Sequence, residues 1–87
     1  MHESSLIPSL LEKIEALGRE HHATMVVAVD VSIGELSGIG AEHFKEHFIA
    51  ETAGTIADGA ELRVRVNEDP FTAGSHSVLL ESVELET

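Results

Sequence analysis

Thr24-Met25-Val26-Val27-Ala28-Val29-Asp30-Val31-Ser32-Ile33 decides the fold of this chain. In its second half Val27, Val29, Val31 and Ile33 alternate with smaller or polar residues, which is the period of a strand. Its first half is apolar on both faces. Upstream, Leu6, Ile7, Leu10, Leu11, Ile14 and Leu17 recur at the three-and-four spacing of one helical face, which predicts a helix from Ser4 to about His22. Ser4 or Ser5 caps its start in this reading. Pro8 then falls in the first turn, where its missing N–H has no intrahelical partner to lose.

Downstream, Gly34-Glu35-Leu36-Ser37-Gly38-Ile39-Gly40 is a glycine-rich loop. Its glycines do not match the dinucleotide fingerprint and no Lys-Ser or Lys-Thr pair follows, so a structural turn is the better reading. Ala41 to about Thr52 predicts a second helix whose apolar face carries Ala41, Phe44, Phe48 and Ile49, with Gly54 ending it. Ala60 to Val66 alternates as a half-exposed strand, with Leu62, Val64 and Val66 inward and Arg63 and Arg65 outward. A loop containing Pro70 and Gly74 leads to a third strand from Ser77 to Glu86. There Val78 and Leu80 differ in parity from Val83 and Leu85, so a bulge or bend is expected near Glu81-Ser82. The whole is an α/β (α+β) domain over residues 1–87, two helices packed on one face of a three-stranded mixed sheet in the order α-β-α-β-β. The two strands joined by the second helix are expected to be parallel, and the last strand antiparallel to one of them.

Composition narrows the function. The 87 residues allow one hydrophobic core, with no cysteine to staple it. Sixteen carboxylates stand against five bases, for a formal charge of −11. No basic cluster exists to neutralise phosphates, and three phenylalanines are the only aromatic residues, so nucleic acid is not an expected partner. A cation or a basic protein surface suits the charge better. No apolar run approaches the ~18–20 residues that span a bilayer, and the amino terminus lacks a signal pattern. The expectation is a cytoplasmic protein without a membrane partner.

Among the residues that can carry chemistry, Met1-His2-Glu3 comes first. His2 is too large for the usual removal of the initiator Met, so Met1 is expected to keep a free α-amine. That amine, the backbone nitrogens of residues 2 and 3 and the His2 imidazole can surround one ion as four nitrogens in a plane, a set that favours Ni(II) or Cu(II) over Mg²⁺. An α-amine ordinarily titrates at ~7.7–8.0 and an imidazole at ~6.5, so binding weakens in acid. A terminal histidine without purpose is the alternative. His43 and His47, spaced i, i+4 on the second helix, are weaker metal candidates, set against a solvated or partly packed helix face. His76, in the loop, reaches a metal only if the fold brings it close. His21-His22 sits at a helix end, where a favourable interaction with the dipole explains it. With no cysteine and no serine in a base-and-orienter pattern, an enzyme is not expected.

Met1-His2-Glu3, Ser5-Leu6, Leu10-Leu11-Glu12, Ile33-Gly34-Glu35-Leu36-Ser37-Gly38, Gly59-Ala60-Glu61-Leu62 and Ser82-Val83-Glu84-Leu85 together resemble the HypA/HybF family of nickel-insertion proteins for [NiFe] hydrogenases. The likeness runs from residue 1 to about 66 and resumes at about 78. It implies a nickel metallochaperone in which the Met1 amine, His2 and backbone nitrogens hold Ni(II), with Glu3 supporting transfer. It also implies two partners, a HypB-like maturation GTPase and the large hydrogenase subunit, and in some members a role in urease maturation. The family carries a zinc domain with two Cys-x-x-Cys pairs between the second and last strands. Here residues 67–77 stand in its place as a short linker without cysteine, so structural zinc is not expected. The alternative is a zinc-less scaffold or regulatory paralogue that binds maturation partners without delivering metal. The linker also permits a homodimer by exchange of the last strand.

Overall fold

The computed structural model describes residues 3–34, 38–67 and 78–87, and of residues 3–5 the backbone alone. Helix α1 spans Glu3–Glu20, strand β1 Met25–Gly34, helix α2 Ala41–Thr52, strand β2 Glu61–Asn67 and strand β3 Val78–Glu86. The sheet order is β2-β1-β3. β1 pairs with β2 in parallel, Val29 opposite Leu62 and Ile33 opposite Val66, and with β3 antiparallel, Val29 opposite Val83 and Ile33 opposite Val78. The Thr24–Ile33 segment is therefore the central strand, which is why it is the most continuously buried.

Two bulges keep the apolar set on one face. Between Val26 opposite Leu85 and Ala28 opposite Glu84, β1 carries Val27 as an extra residue; between Asp30 opposite Ser82 and Val31 opposite Leu80, β3 carries Glu81. An extra residue reverses the side-chain alternation. Val26, Val29, Val31 and Ile33 can thus share the face that Val78, Leu80, Val83 and Leu85 also present. The bulge expected from the parity change in the last strand lies at Glu81. Val27, which the alternation of β1 groups with Val29, is instead 45% exposed.

Both helices lie over that face. Leu6, Ile7, Leu10 and Ile14 of α1 and Phe44 and Phe48 of α2 join the β1 residues in a single cluster. Each such side chain contributes about 1.5–3 kcal/mol when fully buried. Ile49, read as part of the apolar face of α2, is instead 66% exposed. Its position is one residue beyond Phe48, about 100° around the helix, and the two phenylalanines fill the space between α2 and the sheet. The inward set of β2 is only half covered, with Val66 on the rim.

The start of α1 also differs from the expectation. The helix begins at Glu3, so Ser4 and Ser5 are its second and third residues and Pro8 lies in the second turn. Proline there removes one i→i−4 bond, a loss that the burial of Leu6, Ile7 and Leu10 around it offsets. The other end closes by a Schellman motif, in which Ala23 N–H donates to Gly18 C=O at 2.9 Å and His22 N–H to Arg19 C=O at 3.2 Å. His22 takes the left-handed conformation that this cap requires, with φ 55°. α2 stops at Ala53, and Gly54 follows with φ 81°. No helix among the described residues is long and apolar enough to cross a membrane.

Candidate metal centre

Met1 and His2 lie outside the described residues, as do the side chain of Glu3 and the whole of His76. What the structure supplies is their mounting. Glu3 is the first residue of α1, a position at which an amide N–H has no intrahelical acceptor. A metal that takes this nitrogen as a deprotonated ligand breaks no helical hydrogen bond. From Leu6 onward α1 is held by the core, Ile7 being 1% exposed. The tripeptide thus leads without a linker into a fixed helix.

His43 and His47 are both exposed on α2, on the flank beside the buried Phe44 and Phe48. Their ring centres lie 4.4 Å apart with the planes tilted by 32°. The predicted i, i+4 pair is therefore formed in space. His21 and His22 end α1, where His21 N–H donates to Leu17 C=O at 3.1 Å and His22 serves the cap. Backbone geometry accounts for their place. Among the described residues no three of His, Cys, Asp and Glu converge on one point.

The open face of the sheet holds a charged network that single-strand patterns do not reveal. Arg63 donates from Nε to Asp30 Oδ1 at 2.7 Å and from Nη2 to Asp30 Oδ2 at 3.1 Å, and Nη2 also donates to Glu84. The Ser82 hydroxyl donates to Asp30 Oδ2 at 2.6 Å. Arg65 grips Glu81 with two bonds, of 3.2 Å and 2.6 Å. The Ser82 hydrogen bond, with the Arg63 guanidinium beside it, holds the Asp30 carboxyl below its ordinary value of 3.8. The same contact with Asp30, and then Glu84, raises Arg63 above its ordinary value. Outward arginines are legible from alternation in β2, but their partners need the cross-strand register. Both guanidinium groups are committed to carboxylates, so this face is not an anion site.

Comparison with known proteins bears on the amino terminus. A family model described as hydrogenase/urease nickel incorporation, metallochaperone, HypA matches residues 1–73. The hydrogenase maturation factor HypA of Prosthecochloris aestuarii is 42% identical over 66 residues, covering 76% of this chain and 58% of its own length. That of Aquifex aeolicus is 41% identical over 68 residues, covering 78% and 59%. The chain thus matches less than two thirds of these curated relatives. In fold, it resembles the solution structure of the Ni metallochaperone HypA from Helicobacter pylori with a TM-score of 0.83 at 19% identity, covering 99% of this chain and 98% of that one. A second structure, titled as the solution structure of HypA protein, gives 0.71 at 21% identity, covering 98% and 96%.

Proposed function

Because the chain belongs to the HypA family of hydrogenase/urease nickel-incorporation metallochaperones, we propose that it carries Ni(II) on Met1-His2-Glu3 for delivery to a nickel enzyme under assembly. The observation that carries this reading is the direct joining of the tripeptide to a core-anchored helix that begins at Glu3. In a planar site the ligands are the Met1 α-amine, the amide nitrogens of residues 2 and 3 and the His2 imidazole. The protons leave for solvent as the ion enters, so uptake is favoured by rising pH and release by falling pH. Four nitrogens suit Ni(II) and Cu(II) and discriminate against hard cations. The Glu3 carboxylate, next to the chelate, offers an oxygen through which the ion passes to its acceptor.

The partners in this reading are a HypB-like GTPase and the large subunit of a [NiFe] hydrogenase, met in the cytoplasm. The chain's formal charge of −11 favours basic docking surfaces on both. One observation favours a second reading, that of a scaffold binding these partners without delivering metal. The chain has no cysteine, so the zinc module of the family has no thiolate ligands here.

Titration of Ni(II) into the wild-type chain, His2→Ala and the chain with an acetylated α-amine separates the two. The planar-nitrogen absorption is expected in the wild type and lost in both altered forms. Equal tight binding by all three sinks the chaperone reading. Negligible binding by the wild type, with retained capture of the GTPase, selects the scaffold.

A further inference from the structure

We propose that His43 and His47 form a second, weaker site for a divalent transition-metal ion on the exposed face of α2, independent of the amino terminus. The two rings are held in a shared register because the adjacent Phe44 and Phe48 are fully buried and fix the rotation of the helix. Metal–imidazole bonds are about 2.1 Å long, and two imidazoles bound cis on one ion hold their ring centres about 4.5 Å apart. The observed separation is 4.4 Å. The spacing of the two rings is therefore that of a cis pair on one ion.

Imidazole ligands select Zn, Cu and Ni over Mg and Ca. Among the described residues no third His, Asp or Glu completes the set, so water fills the remaining positions. The site is consequently bidentate, open to solvent and fast to exchange. Glu42 and Glu46 on the same helix are exposed and, with the chain's formal charge of −11, favour an arriving cation. Such a site differs in kind from a closed four-nitrogen chelate. It takes an ion quickly and gives it up quickly, which suits capture from, or hand-over to, another carrier.

The test uses the full chain with its α-amine acetylated, so that failure of the amino-terminal site and failure of this one are distinguishable. Ni(II) and Zn(II) are titrated by calorimetry into this form and into the same form of His43→Ala, His47→Ala and the double variant. Far-UV circular dichroism checks that α2 persists. A weak binding step is expected in the parent and lost in each variant, with Ni(II) broadening the amide signals of residues 43–47 ahead of all others. Absence of the weak step in the parent, its survival in the double variant, or broadening centred on His21 and His22 overturns the proposal.

Discussion

Replacing His22 by glycine is expected to stabilise the chain. His22 holds the left-handed position of the α1 cap with φ 55°, and its amide and that of Ala23 close the motif onto Arg19 and Gly18. A left-handed conformation costs an L-residue about 1–2 kcal/mol, and histidine, tolerated there better than most, sits at the low end. Glycine removes that cost but widens the unfolded ensemble, which returns about 0.4–1 kcal/mol. The net gain is at most about 0.6 kcal/mol. For a domain of this size each kcal/mol moves Tm by about 4–8 °C, so a rise of up to about 5 °C is expected. Urea unfolding should show the midpoint rising with the slope unchanged. His22→Val, β-branched at the same φ, should move the midpoint the other way. Nickel affinity should be untouched in both, because His22 acts through its backbone. A His22→Gly chain that is less stable than the wild type refutes the strain argument, and one that loses nickel shows the imidazole to be a ligand after all.

Two further perturbations bear on the sheet. Asp30 has its pKa depressed by Ser82 and Arg63, so its contribution to stability is complete above the ordinary carboxylate value of 3.8 and disappears as pH falls through the depressed value. Its side chain is 30% exposed and solvent screens the contact. Asp30→Asn should therefore lower Tm slightly at neutral pH and leave a flatter acid limb below the ordinary carboxylate value of 3.8, as read by calorimetric scans; an unchanged acid limb assigns the acid sensitivity elsewhere. Deleting Glu81 removes the β3 bulge and leaves Leu80, Ser82 and Val83 in unbroken register opposite Val31, Asp30 and Val29, with Val83 and Leu85 still on the core face. Cooperative urea unfolding is expected to persist, and a variant that unfolds without cooperativity contradicts the register.

Most of the architecture is readable because it rests on period. The central strand, the second helix and both outer strands begin and end within a residue of where alternation and three-and-four spacing place them. Parity alone locates the Glu81 bulge, since apolar and polar residues exchange places there. The Val27 bulge has no such mark, because Val26, Val27, Ala28 and Val29 are all apolar. The cap at His22 is hidden for a related reason. Glycine announces a left-handed residue and histidine does not. The start of α1 escapes the pattern because serine is as good a signal for a cap as the helix can offer, yet the burial of Leu6 and Ile7 favours a helix already formed before them. Of the site residues, the His43–His47 pair follows from helical geometry, whereas the Asp30–Arg63–Glu84 cluster joins three strands and needs their register. Met1, His2 and His76 lie outside the described residues, and the amino-terminal reading stands on donor chemistry and on family membership.

β2 ends with Asn67 opposite Gly34, and β3 begins with Val78 opposite Ile33. The two edges of the sheet therefore meet the connecting segment at the same end of β1, about 10 Å apart for strands spaced at ~4.8 Å. Loop closure grows only as the logarithm of length, each doubling costing about 0.6 kcal/mol. Residues 68–77 bridge that gap, and a module about four times as long bridges it for about 1.2 kcal/mol more. A chain built this way can acquire or shed a whole metal-binding insertion at that point with its sheet almost indifferent, so what is kept there answers to its use and not to the needs of folding.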